Sequence, residues 1–111
     1  MLHAAMVTYL NGKFVEDAEA TVNVRSRGLN YGLGCFGGIR GYLADDGKQV
    51  HVFRLDQHIR RLELSARVLY LQLPGDHQKV CEIIIETIRR NEVHYDVYVR
   101  PLLISNSEQL A

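Results

Sequence analysis

Residues 30–42 of this chain read Asn30-Tyr31-Gly32-Leu33-Gly34-Cys35-Phe36-Gly37-Gly38-Ile39-Arg40-Gly41-Tyr42. Five glycines are interspersed here with aromatic side chains and one arginine. Glycine inside a strand or helix is unfavourable by about 0.5–1 kcal/mol relative to alanine, so this density is typical of backbone that turns sharply or passes close to a bulky group. The segment predicts a glycine-weakened strand over residues 34–43 beside a ligand, and Arg40 favours an anionic ligand.

Composition predicts one soluble domain. The chain has 111 residues, 47% of them hydrophobic, which is enough for a single packed core. Its 13 basic and 13 acidic side chains cancel, so no overall field draws it to nucleic acid or to an anionic membrane. The sequence shows no signal peptide and no apolar run near the roughly 20 residues of a membrane helix. We therefore expect a cytoplasmic protein, with Cys35 and Cys81 as reduced thiols.

The N-terminal part of the chain reads as short strands. Asn11-Gly12 separates the apolar residues 6–10 from residues 13–16, which predicts a β-hairpin with a type I′ turn. Residues 21–24 are a candidate for a further short strand. Residues 25–30 are polar and predict a loop or a short helical turn.

Two more strand segments and two helices complete the pattern. Residues 34–43 and 49–53 flank a turn and predict a second hairpin, and residues 93–105 alternate as a strand until Pro101, which predicts an edge or a bulge. Between them, two segments have apolar residues at helical spacing. They are residues 55–71, with Ile59, Leu62, Ala66 and Leu69, and residues 77–90, N-capped by Asp76, with Val80, Ile84 and Ile88. This order predicts an α+β fold, an antiparallel sheet with two helices packed on one face.

Three groups of residues could bind ligands, and each also has an ordinary structural explanation. Arg61 lies one helical turn after His58 and is either a solvated arginine or a clamp for a phosphate. Tyr98 and Arg100 project on one face of a strand, as a surface pair or as a site for a carboxylate. Phe36 is either a core residue or an apolar wall beside Tyr31.

Other kinds of catalytic site find no support in the sequence. We expect no metal site, and Asp45-Asp46 is explained by its turn. His58 alone is typical of a histidine on a helix surface. The remaining histidines have no acid or nucleophile at useful spacing; they are His3, His51, His77 and His94.

Several of these features, taken in order, resemble the N-terminal small domain of the class IV (fold type IV) pyridoxal-phosphate aminotransferases, most closely the branched-chain amino-acid type. The similarity extends over residues 6–105. The matching positions are Asn11-Gly12, Tyr31-Gly32, Phe36-x-Gly38-Ile39-Arg40-x-Tyr42, Phe53-Arg54, His58-x-x-Arg61-Leu62-x-x-Ser65-Ala66 and Tyr98-x-Arg100-Pro101-Leu102. Each motif alone is weak, and their common order makes the resemblance specific.

The resemblance implies a role for individual residues. Arg61 matches the arginine that binds the phosphate of pyridoxal 5'-phosphate, and Phe36 matches an aromatic of the pocket for the branched side chain. Tyr98 and Arg100 match the pair that recognises the side-chain carboxylate of glutamate. Tyr31 matches a tyrosine that reaches into the neighbouring subunit's site, which implies a homodimer or a higher homo-oligomer. Arg40 lies within the substrate-site motif, where the resemblance gives it no role beyond packing near the site.

Two departures limit what the resemblance implies. The family usually has a glutamate where this chain has Gly37. Pyridoxal-phosphate chemistry also needs a lysine that forms a Schiff base, and Lys13, Lys48 and Lys79 all read as solvent-facing. We therefore expect no catalytic residue in residues 1–111, which would be one small domain without the lysine-bearing C-terminal domain. Residues 106–111 have no closing pattern, which agrees with that expectation.

The resulting hypothesis is a fragment of a branched-chain aminotransferase that is inactive and does not bind the cofactor alone. The intact enzyme would transfer an amino group between Leu, Ile or Val and 2-oxoglutarate. Alternatives are a fragment of a D-amino-acid aminotransferase or an aminodeoxychorismate lyase, and a natural one-domain protein that binds or assembles without catalysis. Because a missing domain would leave apolar surface exposed, we also expect the chain to self-associate.

Overall fold

Seven short strands, one short helix and two long helices make up residues 6–105, the part of the chain that the computed structural model describes. The strands are β1 (Val7–Leu10), β2 (Lys13–Glu16), β3 (Gly34–Phe36), β4 (Ile39–Leu43), β5 (Val50–Val52), β6 (Val97–Val99) and β7 (Leu102–Ile104). The helices are α1 (Arg27–Tyr31), α2 (Leu55–Val68) and α3 (His77–Arg90). A 3-10 turn, Asp17–Glu19, follows β2.

Both predicted hairpins form. β1 pairs antiparallel with β2, and β4 pairs antiparallel with β5. At the first turn Asn11 and Gly12 have φ angles of 49° and 91°. Two consecutive positive φ values are what a type I′ turn requires, so the Asn-Gly pair fixes the register of this hairpin.

The two long helices lie where the apolar spacing predicts them. α2 ends at Val68, three residues short of the predicted boundary at 71, and α3 begins after Asp76, whose side chain accepts a hydrogen bond from the Lys79 amide at 2.8 Å. Each helix buries one stripe. The buried residues of α2 are Ile59, Leu62 and Ala66, and those of α3 are Val80 and Ile84.

The helices pack on one face of a three-stranded antiparallel sheet with the order β5-β4-β6. Ile39 on β4 forms a buried cluster with Ile59 of α2 and with Val80 and Ile84 of α3. Val52 of β5 and Val99 of β6, both partly buried, pack against this cluster. The α+β class and the helices on one sheet face are therefore confirmed, although the strands are divided among three small sheets.

Two of the predicted strands are interrupted, and the interruptions face each other. The segment 34–43 breaks at Gly37-Gly38, and the segment 93–105 breaks at Arg100-Pro101. β3 pairs with β7, whereas β4 pairs with β6. Between these two ladders the Gly37 amide donates a hydrogen bond to the Pro101 carbonyl at 3.1 Å. Both segments therefore turn together from one sheet to the next, and the predicted disruption at Pro101 is confirmed.

The predicted strand over residues 21–24 is wrong. The Asn23 side chain accepts a hydrogen bond from the Arg25 amide, and the Asn23 carbonyl accepts one from the Ser26 amide. These local bonds hold a turn that leads into α1, where the predicted short helical turn is found. The prediction made for residues 106–111 lies outside the described residues.

A histidine joins the two long helices through two carboxylates of α2. His77, at the start of α3, places Nδ1 2.8 Å from Glu63 Oε1 and Nε2 against Asp56 Oδ1. The expectation that His77 has no acid partner is therefore wrong, because helix packing brings these residues together. Glu63 first, and Asp56 second, raise the pKa of the His77 imidazole. Only a doubly protonated ring can donate to both carboxylates.

Replacing His77 by glutamine should weaken the pH dependence of stability. A histidine whose pKa is raised by folding stabilises the folded state fully below its unfolded pKa of about 6.5, and this contribution is lost as the pH rises through the folded-state pKa. In urea unfolding, the wild-type chain should therefore lose more stability than His77→Gln between about pH 5.5 and about pH 8.5. His94→Gln, at an exposed position, should follow the wild type. Equal pH slopes for wild type and His77→Gln would contradict this role.

Candidate functional site

A cleft of about 250 Å³ lies between the turn that joins β3 to β4 and the helix α2. It is lined by Phe36, Gly37, Gly38, His58, Arg61, Leu62 and Ser65. The two glycines leave backbone alone on one wall, and polar side chains of α2 form the other. The lining contains no carboxylate, so it presents positive charge and hydrogen-bond donors to whatever enters.

The two neighbouring arginines of α2 have different surroundings. Arg60 forms an ion pair with Asp56, with Nε 3.1 Å from Oδ2. Arg61 lines the cleft and has no acidic partner among residues 6–105. A guanidinium carries five N–H donors in a planar fork, which suits two oxygens of a phosphate or a carboxylate. Arg61 is therefore the residue of this pair that is available to bind an anion.

A second group of side chains stacks where β4, β6 and the Arg100-Pro101 break meet. The Arg100 guanidinium carbon lies 4.3 Å from the centre of the Phe36 ring and 5.7 Å from that of Tyr98. Arg40 pairs with Tyr98 in the β4–β6 register and lies 5.9 Å from the same ring. Cation–π attraction at such distances contributes about 0.5–1 kcal/mol at exposed sites, enough to orient the rings.

Phe36 connects the cleft to this stack. Its side chain is 57% exposed, lines the cleft with Arg61, and lies beneath Arg100. Arg40 and Arg100 also have no acidic partner among the described residues. An apolar ring therefore stands between two available guanidinium groups, Arg61 and Arg100. The arrangement can bind a molecule with an anion at one end and either an apolar or an anionic group at the other.

Gly38 lets Tyr98 complete the stack. A Cβ built on Gly38 would lie 2.7 Å from the Tyr98 hydroxyl oxygen, which is too close for any side chain. A Cβ on Gly37 would meet only Pro101 Cγ, at 3.6 Å, and Gly37 is not among the residues with positive φ. The backbone therefore leaves room at Gly37 for the glutamate that the family usually has there.

The structure brings together five of the six residues proposed for the site and leaves one apart. Arg61 and Phe36 share the cleft, and Phe36, Arg100, Tyr98 and Arg40 share the stack. Tyr31 ends α1 and is 64% exposed, and it neither lines the cleft nor stacks with these residues. Lys13, Lys48 and Lys79 are exposed, as expected, and none lines the cleft.

Sequence reasoning assigned no binding role to two further residues of the cleft, His58 and Ser65. Both are on α2 at positions whose spacing from Arg61, three and four residues, puts them on its face of the helix. That spacing was the available indication. A larger groove of about 520 Å³ lies between the β1–β2 hairpin and α3, and no predicted site residue lines it.

Two other kinds of site are absent from the described part of the chain. Residues 6–105 contain no group of three or more His, Cys, Asp or Glu side chains that could hold a metal ion. No helix within the same residues has the length and apolar character needed to cross a membrane.

The family model described as Amino-transferase class IV matches residues 34–111, and the chain belongs to this family. Its relatives include the branched-chain-amino-acid aminotransferase of Pseudomonas aeruginosa, 32% identical over 102 residues, which are 92% of this chain and 32% of the relative. Two solved structures have the same fold. The branched-chain aminotransferase of Thermoproteus uzoniensis with norvaline has a TM-score of 0.88 and 37% identity, over 97% of this chain and 36% of that one.

The other structure is a T.th. branched-chain amino acid aminotransferase complexed with N-(5'-phosphopyridoxyl)-L-glutamate. It has a TM-score of 0.87 and 35% identity, over 99% of this chain and 36% of that one. These matches confirm the resemblance to the branched-chain type and the fold type. The chain spans about a third of the length of the proteins that it matches.

Alanine at three glycines should separate packing from positioning. Gly41→Ala places a methyl 2.7 Å from Val50 Cγ1 and 2.9 Å from Val97 Cγ1, so it should destabilise the fold by about 1–3 kcal/mol. Gly38→Ala should move the Tyr98 ring, which is 48% exposed and can swing outwards, and so displace the NMR signals of the Arg100 side chain. Gly37→Ala is the control and should do neither. Unchanged Arg100 signals in Gly38→Ala would contradict the account of the stack.

Proposed function

We propose that this chain is the small-domain part of a branched-chain amino-acid aminotransferase, and that the rest of the enzyme is encoded outside these residues. The intact enzyme would transfer an amino group between Leu, Ile or Val and 2-oxoglutarate. One observation carries the proposal: Phe36 stands between Arg61 and Arg100, two guanidinium groups without acidic partners among the described residues. Membership of the class IV aminotransferases and the branched-chain relatives support it.

Arg61 is proposed to bind the phosphate of pyridoxal 5'-phosphate. The donor set of the cleft fits a phosphoryl group, because a guanidinium, an imidazole and a hydroxyl line it and no carboxylate does. When bound, pyridoxal phosphate supplies the electron sink that amino transfer requires. The chain's own contribution is to hold the phosphate at one end of the site and to leave the backbone at Gly37-Gly38 open.

Phe36, Tyr98 and Arg100 are proposed to bind the substrate side chain. The site of such an enzyme must accept an aliphatic side chain in one half-reaction and the side-chain carboxylate of glutamate in the other. The Phe36 ring offers an apolar surface to the aliphatic group, and Arg100 can form a charge-assisted bond with the carboxylate. Arg40, against the other side of the stack, is proposed to line the same substrate site.

The remaining parts of the site are proposed to come from outside this chain. Its three lysines are exposed and away from the cleft, so the lysine that the cofactor chemistry requires would belong to the missing C-terminal domain. The exposed Tyr31 suits a contact with a neighbouring subunit in a homodimer. The enzyme is proposed to act in the cytoplasm on amino acids and 2-oxo acids, without nucleic acid or a membrane as partner.

The isolated chain should not transfer amino groups. With pyridoxal phosphate, leucine and 2-oxoglutarate it should form no glutamate above the rate without protein, because no lysine lies at the cleft. Borohydride reduction followed by mass spectrometry should give scattered, substoichiometric modification of exposed amines. Turnover together with one stoichiometric lysine adduct would overturn the assignment of the lysine to another domain.

Arg100 should control the choice between the two kinds of substrate. In a chimaera, this chain would replace the matched third of the Pseudomonas aeruginosa enzyme. There Arg100→Met should raise KM for glutamate about 10–100-fold, through loss of a charge-assisted hydrogen bond, and leave KM for leucine within about threefold. Arg89→Met, on the exposed surface of α3, is the control. Equal effects on both substrates would contradict the role of Arg100, and a preference for D-amino acids would favour the alternative enzyme of the same class.

A further inference from the structure

His58 lies in the cleft beside Arg61, and no described contact accounts for its imidazole. The side chain is half-buried, and its ring has no hydrogen-bond partner or ion pair among residues 6–105. Only its backbone is engaged, since its amide donates to the Arg54 carbonyl at 3.0 Å. A polar ring held at the wall of a cleft without a partner is free to bond a ligand there.

Helix geometry places this ring next to Arg61. Residues three apart on an α-helix are separated by about 60° around the axis and about 4.5 Å along it. Leu62, four residues after His58, is buried, and Arg61 is exposed, so His58 stands between the core and Arg61 on the cleft wall. An anion bound by the Arg61 guanidinium from the inner side of the cleft would therefore meet the His58 ring.

The charges around His58 favour its protonated form when an anion is bound. Its charged neighbours one turn away on α2 are Arg54 and Arg61, and the facing turn contributes only Phe36, Gly37 and Gly38. Asp56 and Glu63 are on the opposite side of α2, where both contact His77 of α3. No carboxylate on the cleft wall competes for the imidazolium, so a bound dianion would be its counterion.

We propose that His58 is a second phosphoryl-binding residue, which joins Arg61 in holding a tetrahedral dianion and takes up a proton as the dianion binds. The proposal rests on the proposed function, because it assigns the cleft to the phosphate of the cofactor. It extends that function by making phosphate affinity depend on pH through one named side chain. His58 acts here in binding, and Arg61 supplies the permanent charge.

Sulfate tests this coupling on the chain itself, because sulfate remains a dianion across the pH range used. The NMR signals of the His58 and His94 rings would be followed in sulfate titrations at about pH 5.5 and about pH 8.5, at a constant ionic strength of about 0.15 M. Wild-type chain should bind sulfate about tenfold more weakly at the higher pH. In His58→Asn the affinity should be low and should change by less than about twofold between the two pH values.

Matched variants separate this inference from the proposed function. Arg61→Met should weaken binding at both pH values, and Arg60→Met, whose arginine pairs with Asp56, should not. If Arg61→Met weakens binding while His58→Asn keeps the wild-type pH dependence, the inference about His58 is overturned and the role of Arg61 stands. If neither variant alters binding, or the wild-type chain binds no sulfate, the cleft is not a dianion site and both assignments are overturned.

A wild-type measurement keeps the inference testable if His58→Asn fails to fold. Saturating sulfate should move the midpoint of the His58 ring titration to higher pH and leave that of His94, an exposed histidine away from the cleft, in place. A His58 midpoint that does not respond to sulfate, or that moves no more than that of His94, would overturn the inference.

Discussion

The packing of Ile59 on α2 against the cluster around Ile39 on β4 fixes the site. Neither side chain has any exposed surface, and burial of such a residue contributes about 1.5–3 kcal/mol. Because successive residues turn about 100° around a helix, anchoring Ile59 in the core also sets the direction of every other side chain on α2. His58 and Arg61 are thereby directed to the cleft, opposite the turn at Gly37-Gly38. A different rotation of α2 would remove the positive wall of the cleft without changing any residue in it.

The same helix separates its charges between two sides. Asp56 and Glu63 are directed to His77 on α3, and Asp56 also pairs with Arg60. Arg61 is thus left without a carboxylate among the described residues, although acidic side chains occur on its own helix. The contacts that hold α2 to α3 therefore also keep acidic groups away from the cleft. An arginine in this position is ready to bind an anion, since no internal ion pair has to be broken first.

Local patterns predicted the elements, and contacts distant in sequence determined the rest. Asn11-Gly12 and the apolar spacing of both long helices were sufficient, because a type I′ turn and an amphipathic helix depend on neighbouring residues. The strand predicted at 34–43 is divided because β3 and β4 pair with different partners some 60 residues later, a division that alternation cannot reveal. His77 meets Asp56 and Glu63 for the same reason, through helix packing. At the site, Arg61 and Phe36 were identified by family resemblance, whereas His58 required the cleft.

The central claim is that Phe36 separates a phosphate site at Arg61 from a side-chain carboxylate site at Arg100. It is tested most directly by a crystal structure of the chimaera of this chain with the rest of the Pseudomonas aeruginosa enzyme. N-(5'-phosphopyridoxyl)-L-glutamate, the compound in the T.th. enzyme complex, would be the ligand. The account predicts phosphate oxygens within about 3.2 Å of Arg61, the glutamate side-chain carboxylate at the same distance from Arg100, and Phe36 between them. A phosphate held entirely by residues outside this chain, with Arg61 in solvent, would contradict it.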